Sequence, residues 1–136
     1  MSFSDYLETK VLDHVFGGTP YSAPANLYLA LFTTTPNDST AGTEVSGGSY
    51  ARQVVTFTVS GSAPTQALSD LAIEFPEATA SWGTITHGAV YDALTGGNML
   101  CYAQLTQSDF ATANPKAIGI GDIVRVPAGG AKVTLD

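Results

Sequence analysis

The sequence predicts a mainly β protein: an antiparallel β-sandwich or partly open barrel of about seven or eight strands with one N-terminal amphipathic helix. Three observations predict it. Short apolar runs alternate with clusters of Gly, Pro, Asn, Asp and Ser along almost the whole chain. Only one segment near the N-terminus carries a helical period. Several strand-like runs are apolar on both faces, as expected of strands inside a sandwich and not of a sheet with one wet side.

Taken in order, Ser4 to Phe16 reads as the helix. Ser2 or Ser4 can cap it, and Asp5 and Glu8 suit the positive end of its dipole. Phe3, Leu7, Val11 and Val15 form an apolar stripe widened by Leu12 and Phe16, and Gly17 and Gly18 follow as a left-handed stop. A lone helix must lay that stripe on the sheet or on a partner. Pro20 and Pro24 then hold an extended link to a central strand, Leu27 to Thr34.

Thr35 to Ser49 is the longest polar stretch, and loops of that length are usually functional or mobile. Tyr50 to Val59 alternates as one continuous strand with a wet face, followed by a loop from Ser60 to Ser69. A strand over Leu71, Ile73 and Phe75 ends at Pro76, which cannot donate to a ladder. Ser81 to Leu105 reads as a hairpin turning at Asp92, Gly96, Gly97 and Asn98. On its first strand Ile85, His87, Ala89 and Tyr91 share a face; on its second Met99, Cys101, Ala103 and Leu105 oppose Leu100, Tyr102 and Gln104. Thr106 to Lys116 is an irregular link anchored by Phe110, after which Ile118 and Ile120 add a short strand. Ile123–Val126 and Ala131–Leu135 are closing strands around a Pro-Ala-Gly-Gly turn.

A chain of 136 residues is most naturally one domain, so 1–136 reads as a single β-rich unit. Only 12% of residues are charged, about half the usual share. Such a surface suits burial against other protein. The net charge is −7 with five scattered basic residues, which excludes the phosphate neutralisation that nucleic-acid binding requires. No apolar run approaches the roughly 20 residues of a membrane span, and the polar, acidic N-terminus is no signal peptide. The single Cys101 excludes an intrachain disulfide and reads as a small buried hydrophobe.

Chemistry is sparse. His14 and His87 have no convergent ligands, so no metal is expected. There is no GxSxG elbow, and the glycines of Gly119–Asp122 precede a strand where a phosphate loop needs a helix. No cofactor and no enzymatic activity are expected. Trp82 and Tyr50, at strand entrances beside loops, divide evenly between core packing and interface anchoring.

The strings SFSDYLETKVLDHVFGG, EVSGGSYARQ, SWGTITHGAVYDALTGGN and AGGAKVTLD, in that order, resemble a family of short phage proteins commonly labelled phage tail fiber proteins. The segment FATANPKAIGIGDIVRVP is longer and less regular than that family's turn before its last hairpin. The resemblance implies a virion structural protein, made soluble in the host cytoplasm. In size and charge it is similar in kind to capsid cement proteins, which clamp neighbouring capsid subunits as trimers or dimers. The expected role is therefore capsid cement bound to the major capsid protein or other virion proteins. A tail-fibre or tail-tip component, with host glycan as ligand, is the alternative. The expected partner contacts are Thr43, Glu44, Tyr50, Arg52 and Trp82, followed by Phe3, Tyr6 and Leu7 of the N-terminal segment.

Overall fold

The computed structural model describes residues 1–61 and 65–135. The elements run β1 (Ser2–Phe3), α1 (Asp5–Val15), β2 (Leu27–Phe32), β3 (Gln53–Val55), β4 (Phe57–Ser60), β5 (Thr65–Ser69), β6 (Ile73–Glu74), β7 (Gly83–Ile85), β8 (His87–Tyr91), β9 (Met99–Gln104), β10 (Lys116–Ile118), β11 (Arg125–Val126) and β12 (Lys132–Leu135). The protein is mainly β and sandwich-like, and the sheets of the described residues form no closed barrel. All strand pairings are antiparallel. The main sheet has the order β1-β9-β8-β2-β3.

Its central strands are apolar on both faces because both are covered. One face carries Leu29, Leu31, Val55, Val90 and Cys101. Against it pack the three smaller sheets, β12-β5-β4, β11-β6 and β10-β7, which contribute Phe57, Val133, Ile73, Val126, Ile85 and Ile118 to the same core. The other face gathers Ala30, Phe32, Ala89, Tyr91 and Met99 into a second, smaller cluster.

Several strands differ from the sequence expectation, each for a local reason. The run Tyr50–Val59 is not one strand: it breaks at Thr56, sending β3 to the main sheet and β4 to the three-stranded one. The Thr56 and Thr58 hydroxyls both donate to Asp70 there, a side-chain competitor for regular pairing. The anticipated loop Ser60–Ser69 contains a true strand, Thr65–Ser69, paired to both β4 and β12, while Ser62–Pro64 lie outside the described residues. The first arm of the Ser81–Leu105 hairpin also breaks, at Thr86. Ile85 therefore enters the large core, whereas Ala89 and Tyr91 enter the small one.

On the second arm the register shifts beside Val90 and Tyr91, so that Val90 opposes Cys101 and Tyr91 opposes Met99. The extra residue, Leu100, is a bulge that reverses the alternation. Met99 joins Tyr91 in the small cluster while Leu100 and Cys101 join the large one. The two closing strands do not pair with each other: β11 pairs with β6 and β12 with β5.

The helix forms as read. Ser4 caps it by accepting the Leu7 N–H at 3.3 Å, and its own hydroxyl donates to the Met99 carbonyl. That second bond fastens the helix start to β9. Phe3, Tyr6 and Leu7 pack against the large core. The stripe beyond them does not: Val11, Leu12, Val15 and Phe16 are exposed.

Candidate functional site

The long loop between β2 and β3 holds most of the anticipated contact residues, and it is fastened down by them. After Phe32 the chain turns at Asn37–Thr40, which Asn37 Oδ1 closes by accepting the Thr40 N–H at 2.8 Å. It then returns alongside β2, where the Val45 N–H donates to the Leu31 carbonyl and the Thr33 N–H to the Thr43 carbonyl. Between that returning segment and β3 the edge of β2 has a gap, and the Tyr50 hydroxyl fills it. The hydroxyl accepts the Leu31 N–H at 3.0 Å and donates to Glu44 Oε1 at 2.8 Å.

Arg52 completes the lock. Its Nε and Nη2 donate to the two oxygens of Glu44, both at 2.8 Å. Its Nη1 donates to the carbonyls of Ala93 and Gly96, also at 2.8 Å each, in the turn between β8 and β9. The guanidinium carbon lies 3.8 Å from the centre of the Tyr91 ring. One side chain, 7% exposed, thus joins a loop, a hairpin turn and an aromatic of the sheet. Bidentate pairing with stacking is what a planar guanidinium supplies and an ammonium does not. Burial pushes the Tyr50 hydroxyl well above its usual pKa, with the Glu44 charge adding to the shift and the Leu31 N–H opposing it.

Trp82 closes a second knot. It is 4% exposed, and its indole N–H donates to the Gly48 carbonyl at 2.9 Å. Its ring meets Tyr50 edge-on at 5.5 Å and Phe75 at 6.4 Å, while Tyr50 and Phe75 stack at 6.1 Å. The loop reaches it through three successive left-handed residues, Gly47, Gly48 and Ser49, at φ 74°, 58° and 66°. For serine that conformation is strained; the Ser49 hydroxyl bonds Thr79 Oγ1 at 3.0 Å. A Cβ on Gly48 would stand 2.8 Å from Trp82 Nε1, so glycine is required for close approach as well as for φ.

The structure therefore unites Glu44, Tyr50, Arg52 and Trp82 but directs their side chains inward. Thr43 alone of the loop group is exposed, and its backbone N–H is held by Thr34 Oγ1 at 2.6 Å. Phe3, Tyr6 and Leu7 are half-buried against the core. The uncovered apolar surface is one helical turn further on, at Val11, Leu12, Val15 and Phe16. Their helical spacing is visible in the sequence, but whether that side of α1 is covered depends on packing far along the chain.

Among the described residues no group of three or more His, Cys, Asp and Glu could hold a metal ion, and every buried side-chain nitrogen or oxygen has a partner. His14 Nδ1 accepts the Tyr21 N–H at 3.1 Å, and His87 bonds the Thr86 hydroxyl at 2.8 Å. Cys101 is buried, and desolvation pushes its thiol up to about 11. At pH 8 alkylation of the native protein by iodoacetamide is expected to be slow, reaching full rate only on unfolding; fast native labelling would contradict the burial. A raised pKa leaves the folded state holding a proton that the unfolded thiol gives up above about 9. Stability is thus intact below pH 9 and is lost progressively toward pH 11, measurable as a falling urea midpoint. Tyr50, shifted in the same direction, extends that loss to higher pH.

The fold and these interactions define a β-rich domain whose buried polar side chains are all paired and whose surface leaves several large apolar side chains exposed. Comparison with known protein families gives the class: a structural protein of the bacteriophage virion. The family model of the podophage GP4 fiber I protein gp80 matches residues 2–134, and the chain belongs to that family. The resemblance visible in the sequence to short phage tail-fibre proteins is borne out. No curated protein matches the chain. Among the described residues no helix is long and apolar enough to cross a membrane.

Proposed function

We propose that this chain is a structural subunit of the phage tail-fibre apparatus, acting by packing against neighbouring virion proteins and not by catalysis. The family match carries this reading, because it spans α1, the locked loop and the last strand together. A surface poor in charge supports capsid cement and fibre subunit alike. The match to a fibre family favours the fibre over the capsid role that composition suggested.

The reading as a glycan-binding tip loses its aromatic platform, since Trp82 is enclosed by Gly48, Tyr50 and Phe75. The test is to separate tails from capsids in purified virions and follow the chain by quantitative immunoblot. It is expected with the tail fraction at a handful of copies per particle. Recovery with the capsid shell at many copies would restore the cement role.

A further inference from the structure

The outer edge of β4 carries backbone groups without partners. On β5 the Asp70 N–H, just past the strand, donates to the Thr56 carbonyl. Ser69 turns the other way, its N–H donating to Ala131 and its carbonyl accepting from Gly129. Leu68 and Gln66 therefore face β4, where they stand opposite Thr58 and Ser60. Thr58 and Ser60 direct their backbone groups to β5, and Phe57 and Val59 point theirs away from it. Among the described residues nothing bonds those two N–H groups or those two carbonyls.

Other sheet edges here are blunted by brevity, charge or cover, the usual protections against stray pairing. β1 and β6 have two residues each, and β3 has β6 beside it. β10 and β11 carry Lys116 and Arg125. β12 carries Lys132, whose carbonyl accepts the Met1 amine at 3.1 Å. β4 has neither charge nor proline, pairs without a bulge, and is exposed from Thr58 onward, with Val59 at 71%.

The free groups of this edge match their own copies. When two β4 strands approach antiparallel about a two-fold axis at Thr58, Phe57 of each stands opposite Val59 of the other. Both pairs exchange N–H and carbonyl bonds, so all the outward groups are satisfied, and Thr58 meets Thr58 as the intervening non-hydrogen-bonded pair. Phe57 and Val59 share a face of the strand, which lays each exposed Val59 beside the half-buried Phe57 of the other copy. No charged residue lies within β4 or β5. Asp70 accepts the Thr56 and Thr58 hydroxyls, and in the joined sheet the two β5 strands stand three strand spacings, about 14 Å, apart. That exceeds the roughly 8 Å screening length of physiological salt.

We propose that a second copy of this chain completes the edge: β4 pairs with β4, joining the two β12-β5-β4 sheets into one continuous sheet. The contact is isologous and stops at a dimer. So short a pairing belongs with weak interfaces, below about 1,200 Å², and it tightens where other contacts already hold copies together. It does not depend on placement in tail or capsid, so its failure leaves the fibre reading untouched.

Sedimentation velocity from about micromolar to about millimolar protein tests it. A monomer–dimer equilibrium is expected, with nothing larger. Val59→Pro removes an N–H that points away from β5, leaving the internal ladder intact, and should weaken dimerisation at least tenfold. Far-ultraviolet dichroism and Trp82 emission verify folding; if that variant is unfolded, Val59→Asp replaces it. Under diamide, Thr58→Cys should form a disulfide-linked dimer at least tenfold faster than Ser60→Cys, since only the paired position brings two Cβ atoms within bonding reach. A chain that stays monomeric throughout overturns the proposal and leaves the edge to a strand of another virion protein. Growth beyond the dimer, undiminished association of the folded position-59 variant, or equal cross-linking at 58 and 60 also overturns it.

Discussion

Arg52→Ala is expected to lower the free energy of unfolding by about 3 kcal/mol, the lower part of the range for breaking a buried ion pair. The loss comes from three sources: the bidentate bond to Glu44, the two bonds to the Ala93 and Gly96 carbonyls, and the stacking on Tyr91. Glu44 keeps a 26% exposed side chain, so water relieves part of the stranded charge and places the effect below the maximum. Arg52→Lys is expected to recover less than half, since one ammonium cannot address the carboxylate and both carbonyls at once. Adding Glu44→Gln to Arg52→Ala should regain stability relative to the single variant. Urea unfolding monitored at Trp82 reads all three, and a loss under about 0.5 kcal/mol, the range of ordinary surface substitutions, would release Arg52 for contact with a partner.

Trp82→Ala is expected to cost about 4 kcal/mol, as for other large aromatics removed from a core. The indole is the common neighbour of Tyr50 and Phe75, and its N–H holds the loop at Gly48. Trp82→Phe preserves the ring contacts and removes that bond, and about 1–2 kcal/mol should be lost. Because the two knots share Tyr50, the Arg52 and Trp82 substitutions should couple in a double-mutant cycle. Strict additivity would mean that the Tyr50 hydroxyl and ring act independently. Against a total stability of about 5–15 kcal/mol for a domain of this size, either alanine variant removes a large share.

The sequence made the helix, its cap and the central strand legible because each is specified by neighbours in the chain: Ser4 before Leu7, Gly17 and Gly18 after Phe16, unbroken apolar residues in Leu27–Phe32. It also made the buried character of the hairpin legible. The breaks at Thr56 and Thr86 and the bulge at Leu100 were not, since each depends on which sheet the flanking residues join. Alternation continues through Thr56 in the sequence although the partner changes there.

The candidate site divides along the same line. Glu44, Tyr50, Arg52 and Trp82 stood out as aromatic and charged residues beside a long loop, and they do converge. Whether such residues converge on one another or on a partner is decided by the return of the loop along β2, a pairing over no fixed sequence interval. The exposed end of α1 shows the opposite case. A stripe of correct period signals that a face will be covered, without saying that the covering surface belongs to the same chain.

The strand order carries a consequence for how the protein is made. β1 is paired to β9 across about a hundred residues, with Phe3 opposite Cys101, and β5 finds its second neighbour, β12, only in the last residues described. Closures of such span pay most of their loop entropy before any contact rewards them. During synthesis, then, the N-terminal helix must wait for most of the chain before it has a sheet to lean on. Its docked orientation comes into being only once β9 has been made and paired with β1.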